Sequence, residues 1–240
     1  MKAIILSAGQ GKRLLPLTAK RPKAAIKIKG KSVLEWQLQE LSKCDIEDVL
    51  IVTGFGADEI DSIVRKQNFV SARTLYNPFY LQSDNLGTCW IARHEMEMPF
   101  ILINGDTLFE AEIVRKLLGS KNDSKITLVT DSKDIYDDDD MKIILKKDHI
   151  SKIGKTIDRS KVDAESIGMM YFSANGSGTF IEQLNTMMRA DSGLQKWYLS
   201  AINAIAQSHK VATCPIDGLH WCEIDSHEDL DIAEEKVATW

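Results

Sequence analysis

The chain has 240 residues, 44% of them apolar and 27% charged, a composition that excludes the disordered and fibrous classes and describes one ordinary globular domain, at most one large domain with a lobe. A chain of this length buries about 68–75% of its unfolded surface, so its core needs neither a metal nor a disulfide to fold. The net charge of −5 weighs against nucleic acid as a partner.

Residues 2–6 predict a buried strand that runs at once into a glycine-rich loop, Ser7-Ala8-Gly9-Gln10-Gly11-Lys12-Arg13. The apolar run Ala3-Ile4-Ile5-Leu6 is too short for a signal-peptide core or a spanning helix, and no other segment approaches one, so a cytoplasmic location is expected. Ser32-x-x-Glu35 is a capping box, and Leu34, Leu38 and Leu41 carry its helix through Lys43. A buried strand at 49–52, a helix over 58–66, a short strand at 74–76 and a helix over 86–97 follow. The next strand, 100–103, ends in Asn104-Gly105-Asp106. This alternation, through about residue 130, implies a mostly parallel sheet covered on both faces. Beyond it, 141–145 and 149–153 predict a hairpin, 167–172 a strand, and 179–189 and 197–208 two helices. Residues 211–214 and 219–224 predict a second hairpin, and 226–237 a final amphipathic helix.

Cys44, Cys89, Cys214 and Cys222 are scattered, form no C-x-x-C, and read as reduced core thiols. The charges are not scattered. Lys2, Lys12, Arg13, Lys20, Arg21, Lys23, Lys27, Lys29 and Lys31 all precede the first carboxylate, Glu35, so residues 1–34 carry +9 and the remainder −14. Such a segment is either a solvated basic edge or the seat of an anionic ligand.

The glycines decide between the two. Gly9-x-Gly11-x-x-Leu14 lacks the third glycine of a dinucleotide fingerprint, and no G-x-x-x-x-G-K-[ST] occurs, which disfavours a dehydrogenase or a P-loop ATPase. The longer run Leu6-Ser7-Ala8-Gly9-Gln10-Gly11-Lys12-Arg13-Leu14-Leu15-Pro16-Leu17-Thr18, then Arg21-Pro22-Lys23, resembles the nucleotidyltransferases that join a nucleoside triphosphate to a sugar phosphate or small phosphorylated alcohol. Their motif has the form G-x-G-x-R-[LM]-x-P-[LM]-T followed by P-K. Each position has a physical task. Small residues let backbone N–H groups approach a triphosphate, Arg13 can fork onto phosphate oxygens, and Lys23 is a compact charge suited to a phosphoryl oxygen in flight.

The resemblance implies an α/β fold: a three-layer, mostly parallel Rossmann-like nucleotidyltransferase sheet with a small antiparallel acceptor-side lobe. It implies a single domain over 1–240, with a nucleotide-binding part over about 1–130, an acceptor-side part over about 131–225 and a closing helix over 226–240. Lys23 and Arg13 become the expected catalytic residues, and Leu6, Ala8, Gly9, Gly11, Lys12 and Arg13 the nucleotide site. Gly105-Asp106 and Trp221-x-Glu223-Ile224-Asp225, followed by Glu228-Asp229-Leu230, match the family's magnesium segments, so Asp106 and Asp225 become the expected Mg2+ ligands. Trp221-x-Glu223-Ile224-Asp225 in combination with Asn77-Pro78-Phe79-Tyr80 and Asp84-Asn85 is similar to the phosphocholine cytidylyltransferase branch. There Asn85 and Gly87 are nucleotide contacts; read alone they are a helix cap and a packed glycine.

A choline acceptor calls for aromatic faces and carboxylates. Tyr80, Trp90, Tyr136, Trp197, Tyr198 and Trp221 offer rings, and Asp137 to Asp140 an acidic run that otherwise reads as a solvated loop. Lys23, Asp139, Asp140, Glu165, Trp197 and Trp221 are the acceptor candidates. The expected activity is a Mg2+-dependent cytidylyltransferase that condenses CTP with a small phosphorylated alcohol or amine. A sugar-1-phosphate or aminoalkylphosphonate nucleotidyltransferase, or a nucleotide sensor without turnover, are the alternatives. A glycosyltransferase is disfavoured because Gly105-Asp106-Thr107 lacks a D-x-D pair. The expected partners are the nucleotide and the acceptor, with neither nucleic acid nor membrane; a homodimer stays open. The five histidines show no zinc spacing, and no G-x-S-x-G elbow supports acyl transfer.

Overall fold

The computed structural model describes residues 1–120 and 124–240, and the chain divides into two compact units. Unit 1 comprises Met1–Gln82, Leu102–Arg115 and Leu219–Trp240; unit 2 comprises Ser83–Ile101 and Lys116–Gly218. The units interleave along the chain, whereas the change of strand pattern in the sequence falls near residue 130.

In chain order the chain first forms β1 (Lys2–Ser7), β2 (Lys27–Ile28), β3 (Lys31–Ser32), α1 (Val33–Ser42), β4 (Asp48–Thr53), α2 (Ala57–Lys66) and β5 (Ser71–Tyr76). Then come α3 (Asn85–Ile91), β6 (Phe100–Asn104), β7 (Thr107–Phe109), α4 (Ala111–Gly119), β8 (Ile126–Asp131), β9 (Lys142–Lys146) and β10 (His149–Gly154). The remainder is β11 (Ala164–Phe172), α5 (Ala174–Met188), α6 (Tyr198–Ala206), β12 (Val211–Pro215), β13 (Trp221–Glu223) and α7 (His227–Val237).

In unit 1, β4 lies between β1 and β5, parallel to both, with Lys2 opposite Asp48 and Asp48 opposite Ser71. The carboxyl half of β6 lies on the other side of β1. Ala3, Ile4 and Ile5 and Val49 through Val52 are fully buried, as strands covered on both faces require. α1 starts at the expected capping box, with Ser32 Oγ accepting from Glu35 N at 3.1 Å and Glu35 Oε2 accepting from Ser32 N at 2.7 Å.

Unit 2 is built on β8, which pairs in parallel with β12 and antiparallel with β11. The expected β9–β10 hairpin forms. The expected second hairpin does not. β12 is drawn to β8 instead, and β13 pairs antiparallel with β7, Trp221 opposite Phe109 and Glu223 opposite Thr107. The turn residues between them, with positive φ at Asp217 and Gly218, mark the passage of the chain from unit 2 to unit 1. The expected helix over 86–97 ends at Ile91 and gives way to a single 3₁₀ turn at Arg93–Glu95. α5 begins five residues before the expected start, capped by Ser173, whose Oγ accepts from Gly176 N at 3.1 Å. Two glycines in its first turns mask its start in the sequence. Gly176 is there for packing: a Cβ on it would lie 2.0 Å from Lys125 O.

A satellite core in unit 1 explains how distant segments meet. Leu14, Ile26, Ile28, Val33, Trp36, Leu108, Cys222, Ile224, Ala233 and Val237 form one buried apolar cluster. Its members stand beside the charged candidates: Leu14 follows Arg13, Ile26 follows Lys23 by one turn, Leu108 is two residues past Asp106, and Ile224 precedes Asp225.

Gly105 sets the close approach of the Asp106 turn to β1. Its N–H donates to Leu6 O at 2.9 Å, and a Cβ there would sit 2.4 Å from Ser7 Oγ and 2.5 Å from Leu6 O. Gly105→Ala is expected to destabilise the chain by about 2 kcal/mol through this overlap, read as a fall of roughly 5 °C in the thermal midpoint. An unchanged midpoint would show that the turn can move away from β1.

Candidate active site

The glycine-rich loop is held in shape by its own side chains. Gly11 has φ 74°, a conformation that a side chain resists, and its carbonyl accepts from Leu14 N at 3.0 Å and from Thr18 Oγ1 at 2.8 Å. Gln10 Nε2 donates to Thr18 O at 3.1 Å, and Thr18 is fully buried. Ala8 O accepts from Phe55 N at 3.0 Å, so Leu6 and Ala8 serve this region through their backbones. Gly9 faces open space, and Lys12 and Arg13 are exposed on a 3₁₀ turn that Leu14 pins into the core.

The two aspartates meet because β7 and β13 pair. The ribbon aligns Thr107 with Glu223, and Ile224 N donates to Asp106 O at 3.0 Å, which places Asp225 beside Asp106. Each aspartate has a dedicated support. Gln37, buried on α1, donates through Nε2 to Asn104 O and to Thr107 O, both at 2.8 Å, and clamps the turn that carries Asp106. Asp229 Oδ2, in the capping box of α7, accepts from Asp225 N at 2.8 Å and from Ser226 N at 2.6 Å. Sequence reasoning missed Gln37; a lone amide within the Leu34, Leu38, Leu41 stripe is the signal that marks it.

Lys23 stands between the aspartates. Its Nζ donates to Asp106 Oδ2 at 2.7 Å and to Asp225 Oδ1 at 2.5 Å, while the Arg13 guanidinium takes Asp225 Oδ2 at 2.8 Å. Burial by itself lowers the Lys23 pKa, but the carboxylates of Asp106 and Asp225 outweigh it and the net direction is up, so the ammonium stays charged. Asp106 Oδ1 is buried and accepts no hydrogen bond. Among the described residues no group of three or more His, Cys, Asp and Glu side chains is arranged to hold a metal. Two converging carboxylates, one with an unused buried oxygen, are nevertheless a donor set that fits Mg2+, which takes one or two protein carboxylates and fills its remaining positions with phosphate and water.

The remaining candidates, apart from Trp221, lie in unit 2. Asn85 Oδ1 accepts from Tyr198 N at 2.8 Å and so caps the start of α6, while Gly87 is buried, with a Cβ there 2.7 Å from Ser83 Cβ. Asp139, Asp140, Glu165 and Trp197 are brought together by two lysines that the sequence did not single out. Lys133 Nζ bridges Asp140 Oδ2 at 2.8 Å and Glu165 Oε1 at 3.1 Å. Lys155 Nζ pairs with Asp139 at 3.1 Å and lies 4.8 Å from the centre of the Trp197 ring. Asp84, beside Lys155 and Trp197, is pushed up by burial, with those two neighbours opposing the shift. Trp221 lies in unit 1, on the ribbon that leads to Asp225, and its carbonyl accepts from Lys236 Nζ. All four cysteines are buried free thiols. No helix of the described residues is long and apolar enough to cross a membrane.

The sequence pattern of the MobA-like NTP transferase domain matches residues 3–202. The chain is similar to the CTP:phosphoglutamine cytidylyltransferase of Campylobacter jejuni, 24% identical over 98% of this chain and 100% of that one. It is similar to the choline-phosphate cytidylyltransferase of Streptococcus pneumoniae, 30% identical over 46% of this chain and 47% of that one. Its fold is that of the inositol-1-phosphate CTP transferase from T. maritima, with a TM-score of 0.81 and 21% identity over 98% of this chain and 95% of that one.

Glu165 supplies a pH test of the unit 2 cluster. Burial first, and the neighbouring Asp140 second, push its carboxyl from 4.5 up to about 7 against the pull of Lys133. Between those values the folded chain holds a proton that the unfolded chain releases, so the stability contributed is present at low pH and lost as pH rises through about 7. The thermal midpoint is expected to fall from pH 5 to pH 8 by more in the wild type than in Glu165→Gln, measured in matched buffers. Parallel curves would remove Glu165 as the titrating group.

Proposed function

From a chain that belongs to the MobA-like NTP transferase domain family, and is a nucleotidyltransferase, we propose a cytidylyltransferase that joins CTP to a small phosphorylated molecule and releases pyrophosphate. The observation that carries this reading is the convergence of Arg13, Lys23, Asp106 and Asp225 beside the glycine-rich loop. The choice of CTP and of a phosphorylated acceptor is supported by the relatives named for that chemistry.

In the proposed reaction an acceptor phosphate oxygen forms a bond to the α-phosphorus, and the bond from that phosphorus to the bridging oxygen breaks as pyrophosphate leaves. The attacking oxygen is already anionic near neutrality, so no general base is required, and catalysis rests on alignment and charge neutralisation. Backbone N–H groups of residues 8–13 line the triphosphate, with Arg13 on its oxygens. Lys23 meets the charge that develops on the α-phosphate oxygens. Asp106 and Asp225 would hold Mg2+, which when bound would add to the neutralisation of phosphate charge.

The unit 2 cluster supports a polar acceptor head over a trimethylammonium one. The Trp197 face is taken by the Lys155 ammonium, which a choline group must displace. Asp139, Asp140 and Glu165 each have a lysine partner already.

Pyrophosphate release from CTP, UTP, GTP and dTTP, each against phosphorylated amides, amines, polyols and sugars, tests the proposal, with product mass identifying the acceptor. CTP with a small polar phosphate is expected to turn over fastest. A preference for UTP or dTTP with a sugar 1-phosphate transfers the chain to that reading, and no release with any pair leaves it a nucleotide sensor.

The site residues are tested by variants. Lys23→Ala is expected to lower kcat by about 10²–10³ with a smaller change in KM for CTP, because only an interaction stronger in the transition state accelerates the step. Asp106→Asn and Asp225→Asn, or a chelator, are expected to abolish turnover in a chain that circular dichroism shows folded. An elevated KM at unchanged kcat in Lys23→Ala would make Lys23 a binding residue.

A further inference from the structure

Two of the three ammonium donors of Lys23 are spent on the carboxylates just read as the metal ligands, and the inference below rests on that reading. An ammonium at 2.7 Å from one oxygen of Asp106 and 2.5 Å from one oxygen of Asp225 occupies the space between the two carboxylates, where a divalent cation bridging them would also sit. Two cations cannot share it, since each would lie within a few ångströms of the other's charge. The lysine is held there by packing as well as charge. Its stem lies against Gly11, whose ideal Cβ would fall 3.1 Å from Lys23 Cβ and 3.1 Å from Lys23 Cε, and the side chain is only 12% exposed.

That same contact places the Lys23 head next to the glycine-rich loop, where the proposed triphosphate binds. A rotation about the last bonds of the stem would turn the ammonium from the carboxylates toward the loop with the Lys23 backbone in place. We propose that Lys23 is a tethered competitor for divalent cation: its ammonium holds the Asp106–Asp225 pair until nucleotide phosphates draw it to the loop, so that metal and nucleotide bind interdependently. Free cation then binds weakly, and the cation enters with the nucleotide. Arg13 does not act this way, because it contacts the other oxygen of Asp225, makes no contact with Asp106 among the described ion pairs, and is 56% exposed.

The test is binding of Mn2+ to the full chain without nucleotide, followed by the electron spin resonance signal of free Mn2+, with folding checked by circular dichroism. Lys23→Gln and Lys23→Met are expected to bind Mn2+ roughly tenfold or more tightly than wild type. Arg13→Ala is expected to stay within about threefold of wild type, as an exposed pair does. Lys23→Arg retains a cation between the carboxylates and is expected to bind as weakly as wild type. Folded Lys23→Gln and Lys23→Met chains with wild-type affinity would overturn the inference. So would tightening in Arg13→Ala equal to theirs, or tenfold tightening in Lys23→Arg. A separate arm isolates the underlying reading: with CTP present, Asp106→Asn is expected to weaken Mn2+ binding, and unchanged binding there overturns the metal site itself.

Discussion

Asp106 and Asp225 carry like charges within hydrogen-bond reach of one ammonium, and the rest of unit 1 is arranged to keep them there. Their mutual repulsion at such a separation is about 3 kcal/mol at an effective dielectric constant of 20. Lys23 reverses its sign locally, but an ion pair with partial burial is weak support by itself. The apolar cluster behind it is larger. Leu14, Ile28, Val33, Leu108 and Ile224 are all buried to within 1%, and burying each such side chain contributes roughly 1.5–3 kcal/mol. Packing, more than charge, therefore brings the four charged residues together, and the ion pairs choose the arrangement within it.

Much of this was legible in the sequence because it is local. The strand before the glycine-rich loop, the capping box at Ser32 and the β9–β10 hairpin each depend on residues a few positions apart. The β7–β13 ribbon was not legible, because Leu108 and Cys222 pair across more than a hundred residues and each strand is three residues long. The turn signal at Asp217-Gly218 pointed to a nearer partner. Local preference proposed a hairpin, and the pairing that buries Leu108, Cys222 and Ile224 in one cluster prevailed.

The candidate residues show the same division. The motif-bearing loop and both aspartates could be read from strings of residues, whereas Gln37, Lys133 and Lys155 had no string to mark them. Each is a long polar side chain whose partners lie far away in sequence: Asn104 and Thr107 for Gln37, Glu165 for Lys133, Trp197 for Lys155. Such residues are found by asking which buried acceptors and carboxylates lack a donor, a question that requires the fold. Glu165 illustrates the difference, since its displaced titration arises from burial and from Asp140, neither of which its own neighbours in the chain reveal.

Unit 1 draws on residues 1–82, 102–115 and 219–240, with most of unit 2 inserted before the last of these segments. A ribosome therefore delivers the loop, Lys23 and Asp106 long before Asp225. During that interval β7 has no ribbon partner, and Leu14, Ile28 and Leu108 wait without Ile224, Ala233 and Val237 to cover them. Unit 2, contiguous from Lys116 to Gly218 apart from its short first segment, has its chain in hand earlier. Unit 1 is thus completed only after unit 2, and a chain cut short before β13 lacks Cys222, Ile224, Ala233 and Val237, the part of the apolar cluster that covers Leu14, Ile28 and Leu108.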